Sequence, residues 1–193
     1  AEGLYRGLSR CARRFGVELV GGDTVRAPRV TLDVAIIGEV GKGRRAVLRS
    51  GARPGDALLV TGRLGGAVRS GRHLAFTPRV REARALSARE NIHAMMDLSD
   101  GLAADLPRMC RESGVGFVMD PARIPRARGC PLAQALADGE DFELLLAAAP
   151  AAAERLLSWA RRGGLACGLT RVGRVVEKGR GQEIKIKGGF RHF

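Results

Sequence analysis

Three aspartates stand within nine positions of the stretch MMDLSDGLAADL, residues 95–106. Asp97 closes an apolar run that predicts a β-strand, and Ser99 or Asp100 stands where the N-cap of a following helix belongs. A helix cap leaves Asp97 unexplained, because an unpaired charge at the tip of an apolar strand is costly. Mg²⁺ prefers oxygen ligands and completes its shell with waters and substrate phosphates. These residues therefore predict either a capping motif or a divalent-metal site formed by Asp97 and Asp100.

Two more acidic turns could do similar chemistry. In GGDT, residues 21–24, two glycines can expose backbone N–H groups to an anion, and Asp23 adds a carboxylate. A glycine turn with a capping aspartate explains the same residues. GED, residues 139–141, leads into the apolar run FELLL. Together with Arg49 in the basic loop LRSGARPGD, these turns predict a site for metal-bridged phosphate. The glycine signatures of the P-loop and of dinucleotide folds are absent from the sequence, so the common nucleotide folds are not indicated.

The composition is that of a globular protein with a strongly basic surface. Of its 193 residues 45% are hydrophobic, and the formal net charge is +13. Such a charge suits nucleic acid, an anionic membrane or phosphorylated small molecules. However, the basic residues are spread along the chain in ones and twos, and aromatic residues make up only 4%, too few for typical stacking platforms. We therefore expect a solvated basic surface and no nucleic-acid partner.

Cysteines and histidines indicate neither a metal centre nor a disulfide framework. Four cysteines and three histidines are widely separated, with no CxxC pair, so we expect buried, reduced thiols. No window approaches the roughly 18 uninterrupted apolar residues of a membrane helix, which predicts no membrane partner. With no signal sequence in these residues, a cytoplasmic location is expected. The chain opens at Ala1 in a helix-like stretch, so we expect an internal start or a fragment.

Apolar periodicity predicts the elements that must position these turns. VELV (17–20) predicts a short strand, and VTLDVAIIGEV (30–40) alternates as a half-buried strand does. The stretch from about Gly41 to Asp56 is rich in Gly, Arg and Pro and predicts a domain boundary or a binding loop. Strands and helices then alternate, which predicts an α+β (mixed α/β) fold with a sheet covered by helices. The predicted strands there are ALLVTG, IHAMM, VGFVMD, FELLLAAA, TRVGRVV and EIKIKGGF; the predicted helices are about Arg79 to Ser87, Gly101 to near Gly114, CPLAQALA and AAAERLLSWARR.

One of the predicted helices contains a proline. Leu102, Leu106 and Met109 fall at helical spacing after Gly101. Pro107 lacks the N–H that a helix interior uses, so it should bend this helix or shift its start.

Six short motifs occur along the sequence: VGGDT, LRSGARPGD, VTGRLGG, MMDLSDGLAADL, GEDFELL and the terminal GGFRHF. In this order and spacing they resemble the thiamine-monophosphate kinase family, within the aminoimidazole-ribonucleotide-synthetase-like superfamily. The resemblance covers essentially the whole chain. It implies a PurM-like C-terminal domain over residues 46–193, preceded over residues 1–45 by the remnant of an N-terminal α+β domain that binds ATP and metal.

The resemblance also implies an activity, the transfer of the ATP γ-phosphoryl group to thiamine monophosphate to give thiamine diphosphate and ADP. No covalent catalyst is implied, because phosphoryl transfer depends on positioning and charge neutralisation, here with Mg²⁺. ATP and thiamine monophosphate would be the partners, and the full-length protein would be a homodimer. Carried over position by position, the implied sites are Gly22, Asp23, Arg49 and Ser99 for ATP, Asp23, Asp97 and Asp100 for Mg²⁺, and Glu140 and Phe190 for the thiamine moiety.

Some features depart from the family's pattern. Asp138 stands where a glycine usually precedes Gly139, and Arg191 stands where the terminal motif commonly has aspartate. The family usually carries further metal-binding aspartates in a preceding stretch, so we expect an incomplete active site and little kinase turnover from these 193 residues alone. Packing as a C-terminal core anchor explains Phe190 as well as a substrate contact does.

Two other functions remain open at the level of the sequence. Another ATP-using enzyme of the same superfamily would keep the acidic turns and differ around Glu140 and Phe190, where the acceptor binds. A non-catalytic, basic nucleic-acid-binding module would lose affinity steeply with salt and would be indifferent to Mg²⁺ and ATP.

Overall fold

The computed structural model describes residues 2–43 and 45–181. The chain divides into two compact units, Ala1–Gly41 and Lys42–Phe193. The predicted strand EIKIKGGF, Phe190 and Arg191 lie outside the described residues.

The first unit contains one helix, α1 (Glu2–Phe15), and none of its described residues is buried. The helix ends at Gly16, whose φ of 65° closes the last turn, and the N–H of Val17 donates to the carbonyl of Ala12 at 2.9 Å. Arginines in the last turn stabilise the negative end of the helix dipole.

The strands predicted at 17–20 and 30–40 are wrong for the described chain, because neither segment has strand structure. A strand must pair its N–H and C=O groups with a neighbour, and no described strand pairs with either segment. Their apolar side chains consequently lie open, with Val20 91% and Ile37 96% exposed. The alternation is present in the sequence, but the partner that would turn it into a sheet is not among the described residues.

The described part of the second unit forms a five-stranded sheet with the order β2-β4-β1-β5-β3. Every neighbouring pair is antiparallel. β1 and β4 are buried along their whole length, as their unbroken apolar runs predict. The strands are β1 (Ala57–Thr61), β2 (Ile92–Leu98), β3 (Gly116–Met119), β4 (Glu143–Ala148) and β5 (Leu169–Val176).

Helices cover both faces of this sheet. The predicted helices are confirmed with small shifts in their bounds, and 3₁₀ turns at Arg72–Leu74 and Pro121–Arg123 and a π-type turn at Ala160–Gly164 accompany them. The α-helices are α2 (Ala67–Ser70), α3 (Val80–Arg89), α4 (Leu102–Ser113), α5 (Leu132–Ala137) and α6 (Pro150–Trp159).

The alternation of side chains along β1 divides the core into two clusters. Leu58 and Val60 pack in the cluster that contains the buried residues of α4 and α5. Ala57 and Leu59 pack in the other, with the buried residues of α3 and α6. Because successive strand residues point to opposite faces, one strand supplies both cores. The predicted mixed α+β fold with a sheet covered by helices is therefore confirmed.

The shift in the start of α4 that Pro107 predicts is wrong, and the bend stays a prediction. The helix begins at Leu102 and continues through the proline to Ser113. Leu102, Leu106 and Met109 are fully buried. Their packing holds the helix together where one backbone hydrogen bond is lost.

The segment that precedes β1 runs beside β2, the outer strand of the sheet. The N–H of Met95 donates to the carbonyl of Leu48 at 2.9 Å, so Arg49 lies next to this edge. Farther along, the Ser113 Oγ accepts from the N–H groups of Gly51 and Ala52 at 3.1 and 3.2 Å. The basic loop is thus fastened to both β2 and the end of α4.

Candidate functional site

Two of the predicted acidic turns meet at one end of the β2-β4 pair. Because the strands are antiparallel, the end of β2 lies against the start of β4, with Leu98 opposite Glu143. The Ser99 carbonyl accepts from the Glu140 N–H at 2.6 Å, and the Leu98 carbonyl accepts from the Phe142 N–H at 2.9 Å. DLSDG and GED, which are 41 positions apart in the chain from Ser99 to Glu140, therefore form one surface.

Gly101 allows these turns to approach closely. Its φ of 95° lies in a region that side chains rarely adopt. A Cβ at this position would stand 2.9 Å from the carbonyl oxygen of Leu136 and 3.2 Å from the nitrogen of Gly139. Glycine is required here by both the backbone conformation and the space.

The two candidate metal ligands in DLSDG have different surroundings. Asp97 is exposed at the end of β2. The side chain of Asp100 is only 13% exposed and forms an ion pair with Arg108. This pair was not predicted from the sequence, because its eight-residue spacing is not that of neighbours on one helix face.

Asp105 completes this group beneath the turn. Its side chain is fully buried, its Oδ2 accepts from the backbone N–H of Asp100 at 3.0 Å, and its Oδ1 accepts from Arg108 Nη1 at 2.9 Å. Burial raises the pKa of Asp105, and the hydrogen bonds and the guanidinium oppose this effect. The i, i+3 spacing of Asp105 and Arg108 was a signal for their contact.

The GED turn is held in an uncommon backbone conformation. Glu140 and Phe142 have positive φ values of 56° and 50°. Residues other than glycine adopt this region mainly where the surroundings impose it, often at functional sites. The Phe142 ring is stacked on Phe76 with 4.0 Å between centroids, which fixes one side of the turn. Glu140, the predicted contact to the thiamine moiety, is half-buried on this turn.

Two aspartates accept hydrogen bonds from the backbone of Gly65 and Gly66 in VTGRLGG and so connect these glycines to the GED turn. Both carboxylate oxygens of Asp141 accept from the Gly65 N–H, at 2.9 and 2.8 Å, and Arg72 donates to Asp141 at 2.6 Å. Asp138 accepts from the Gly66 N–H at 2.9 Å. The departure at Asp138 therefore has a structural partner. Sequence reasoning missed both contacts, because nothing in the spacing joins positions more than seventy residues apart.

A buried ion pair supports the turn from the first residue of β4. Arg79 donates from Nε and Nη2 to the two carboxylate oxygens of Glu143 at 2.8 and 2.7 Å. The Thr61 hydroxyl donates to the same carboxylate at 2.7 Å. A Cβ on Gly62 would collide with this carboxylate. The hydrogen bonds satisfy a charge that would otherwise be costly to bury.

The other predicted site residues belong to other segments of the chain. Gly22 and Asp23 are exposed in the first unit, and Asp23 Oδ1 accepts from the Thr24 N–H at 2.7 Å. Arg49 is exposed beside the edge of β2. Phe190 lies outside the described residues.

The donor set at DLSDG fits a Mg²⁺ ion that arrives with phosphates. No group of three or more Asp, Glu, His or Cys side chains suited to hold a metal occurs among residues 2–43 and 45–181. Mg²⁺ commonly binds through one or two carboxylates and takes its other ligands from waters and substrate phosphates. Asp97 and Asp100 can provide such a pair without a preformed protein cage.

Two further sequence predictions can be compared with the structure. All four cysteines are free, and Cys110 and Cys130 are buried as predicted, whereas Cys11 is exposed and Cys167 is half-buried. Burial raises the pKa of Cys110 to about 11, which makes its thiol unreactive. In the described residues, no helix combines the length and the apolar character needed to cross a membrane.

Comparison with known proteins identifies relatives of both units. Residues 53–186 match the model of the AIR synthase related protein, C-terminal domain, and residues 1–40 match that of its N-terminal domain. The chain is 37% identical to the thiamine-monophosphate kinase of Rhodopirellula baltica over 90% of its own length and 56% of that protein's. It is 34% identical to the thiamine-monophosphate kinase of Methanospirillum hungatei over 98% of its own length and 68% of that protein's.

Solved structures give the same result. Thiamine-monophosphate kinase from Stenotrophomonas maltophilia aligns with a TM-score of 0.63 at 30% identity, covering 77% of this chain and 55% of that one. AaThiL complexed with AMPPCP and TMP aligns with a TM-score of 0.58 at 27% identity, covering 76% and 54%. The chain thus spans little more than half of several relatives that it matches. It belongs to the AIR synthase related protein family and, within it, to the thiamine-monophosphate kinase family.

Proposed function

We propose that this chain takes part in the ATP-dependent phosphorylation of thiamine monophosphate to thiamine diphosphate. Relatives that match most of the chain are thiamine-monophosphate kinases, and one similar structure holds AMPPCP and TMP. In this reaction an oxygen of the acceptor phosphate bonds to the γ-phosphorus of ATP, and the bond from that phosphorus to ADP breaks. The enzyme has to align the two anions and offset their charge.

The observation that carries the proposal is the union of DLSDG and GED at one end of the sheet. The hydrogen bond between Ser99 and Glu140 joins the turn assigned to nucleotide and metal with the turn assigned to the acceptor. A phosphoryl donor and its acceptor must be held within reach of each other, and these joined turns are suited to that task.

We assign Asp97 and Asp100, with Asp23, to Mg²⁺, which when bound offsets negative charge on the phosphates. Ser99, Arg49, Gly22 and Asp23 are assigned to ATP. Arginine suits this role because its planar donors match phosphate oxygens. Glu140 and Phe190 are assigned to the thiamine moiety, where the carboxylate of Glu140 can attract the positively charged thiazolium ring.

The organisation of the whole protein is part of the same proposal. We assign residues 1–45 to an ATP- and metal-binding N-terminal domain and residues 46–193 to the C-terminal domain, and the two family matches support this division. We further propose a cytoplasmic homodimer that binds neither nucleic acid nor membranes. The 193 residues alone are expected to show little turnover, because they span little more than half the length of several relatives.

The test is a direct assay of the protein expressed from its complete reading frame. With Mg²⁺-ATP, thiamine monophosphate should yield equimolar thiamine diphosphate and ADP, separated by chromatography. Asp97→Asn should reduce kcat/KM by about 100-fold or more, the scale of a lost charge-stabilising group, and should keep the native circular dichroism spectrum. Asp120→Asn, at an exposed aspartate of a 3₁₀ turn, serves as the matched control and should behave as wild type.

The alternative acceptor is tested in the same assay. If other phosphorylated acceptors are converted and thiamine monophosphate is not, the protein is an ATP-using enzyme of the superfamily with another substrate. If Mg²⁺-ATP does not bind and DNA binds with a steep salt dependence, the kinase proposal fails.

A further inference from the structure

Arg108 lies between two carboxylates of the DLSDG turn and the helix that follows it. One guanidinium nitrogen, Nη1, contacts Asp100 Oδ2 and also lies 2.9 Å from Asp105 Oδ1. The Arg108 side chain is 40% exposed, whereas the side chain of Asp105 is fully buried and that of Asp100 is 13% exposed. The Arg108 guanidinium therefore pairs with the fully buried carboxylate of Asp105 and with the partly exposed carboxylate of Asp100 at the proposed metal site.

The two contacts have different consequences. Without Arg108 the buried Asp105 would lose its guanidinium partner, which is strongly unfavourable inside a protein. Asp100 has an alternative, because a divalent cation can neutralise the same oxygen. The arginine and the metal ion therefore compete for Asp100, while the ion pair between Arg108 and Asp105 is retained.

We infer that Arg108 is a built-in counter-ion that occupies Asp100 in the metal-free protein and must be displaced from it when a divalent cation binds. This inference rests on the proposed assignment of Asp100 to Mg²⁺. Arg108 acts as a positioning residue, since it reaches the site only through Asp100 and Asp105. It keeps the turn ordered without metal, and the competition weakens the intrinsic affinity for the ion.

The test measures binding of Mn²⁺, as a paramagnetic probe, to the whole protein in the absence of nucleotide. Free Mn²⁺ is measured by electron paramagnetic resonance for the wild type, for Arg108→Gln and for the double variant Asp105→Asn with Arg108→Gln. We expect both variants to lower the Kd by about threefold or more, the scale of a partly exposed ion pair.

The double variant separates competition from a change in net charge. It removes one positive and one negative charge, and the amide oxygen of asparagine can still accept the hydrogen bond from the Asp100 N–H. It also leaves no buried carboxylate at position 105 without a positively charged partner, so it should fold where the single variant is unstable. An unchanged or higher Kd in the folded double variant overturns the inference.

Two controls distinguish a failure of this inference from a failure of the proposed metal site. Arg155→Gln removes an arginine that pairs with Glu90 on another part of the surface, at 2.5 and 2.7 Å, and should leave the Kd of Mn²⁺ unchanged. Asp97→Asn and Asp100→Asn should each weaken Mn²⁺ binding. If neither does so, the metal assignment in the proposed function is wrong and the inference falls with it. If both do so but the Arg108 variants bind Mn²⁺ like the wild type, only the inference is wrong.

Discussion

The side chain of Asp141 connects the GED turn to Gly65 in the stretch VTGRLGG. It is almost completely buried, yet it meets Arg72 at 2.6 Å and accepts from the Gly65 N–H with both oxygens. Burial is the larger influence and raises its pKa to about 6, while the backbone N–H and the guanidinium act in the opposite direction.

This shift predicts a pH dependence of stability. A carboxyl group whose pKa is higher in the folded than in the unfolded protein stabilises the fold at low pH, and this stabilisation is lost as the pH rises through the folded pKa. Between about pH 4 and pH 7 the wild type should therefore lose roughly 2 kcal/mol of unfolding free energy relative to Asp141→Asn, given the shift from 3.8 to about 6. Urea unfolding of both proteins across this range measures the difference; a constant difference would contradict the prediction.

Single residues were predicted unevenly from the sequence. Asp97 and Asp100 stood out because carboxylates beside a strand end are unusual, and the structure brings their turn to Glu140. The partners of Asp100 and Asp141 were not predicted, because they depend on which elements the fold brings together.

At the scale of elements, the turn after β2 packs against the turn after α5 through Gly101. Gly114, at the end of α4, is a useful comparison because its φ of 68° is also positive, but no atom of the described residues would lie within 4 Å of a Cβ added there. Alanine in place of Gly114 would cause backbone strain only. Alanine in place of Gly101 would cause backbone strain and a steric clash with the carbonyl oxygen of Leu136.

We expect Gly101→Ala to lower the unfolding free energy by about 3 kcal/mol or more and Gly114→Ala by about 1 kcal/mol. Thermal unfolding of the two variants measures the difference. Gly101→Ala should also speed hydrogen exchange at the Glu140 N–H, which bonds to Ser99. Equal destabilisation by the two substitutions would mean that the turns do not depend on this close contact.

The elements themselves were predicted well where the chain contains their partners. β1, β2, β4 and the helices around them follow from apolar runs and helical spacing, since the sheet is present to bury them. The segments at 17–20 and 30–40 have an equally clear alternation of apolar and polar residues. Periodicity shows which face of a segment could be buried, but not whether another strand is available to pair with it. α4 shows the converse, because its buried face outweighs the proline that local rules disfavour.

At the scale of the molecule, the second unit contains its own core. Both clusters of buried apolar residues, with the partly buried residues that pack on them, start no earlier than Val47. No described residue of the first unit is buried. Both clusters are therefore formed by described residues of the second unit.

Deletion of residues 1–41 should leave the thermal midpoint of the remaining chain within about 3 °C of the parent. Leu145→Ala, at a fully buried position of β4, should in contrast lower the unfolding free energy by about 2–5 kcal/mol. Differential scanning calorimetry measures both. Loss of cooperative unfolding in the shortened chain would show that the second unit does not fold alone.

The position of the β2-β4 pair at the margin of the sheet has an evolutionary consequence. The joined turns project from the outermost strand and its neighbour, while β1, in the middle, supplies residues to both cores. After a gene duplication, Glu140 could be replaced with little repacking of the interior, because neither core cluster contains it. A lineage could thus exchange one phosphate acceptor for another while inheriting the same scaffold.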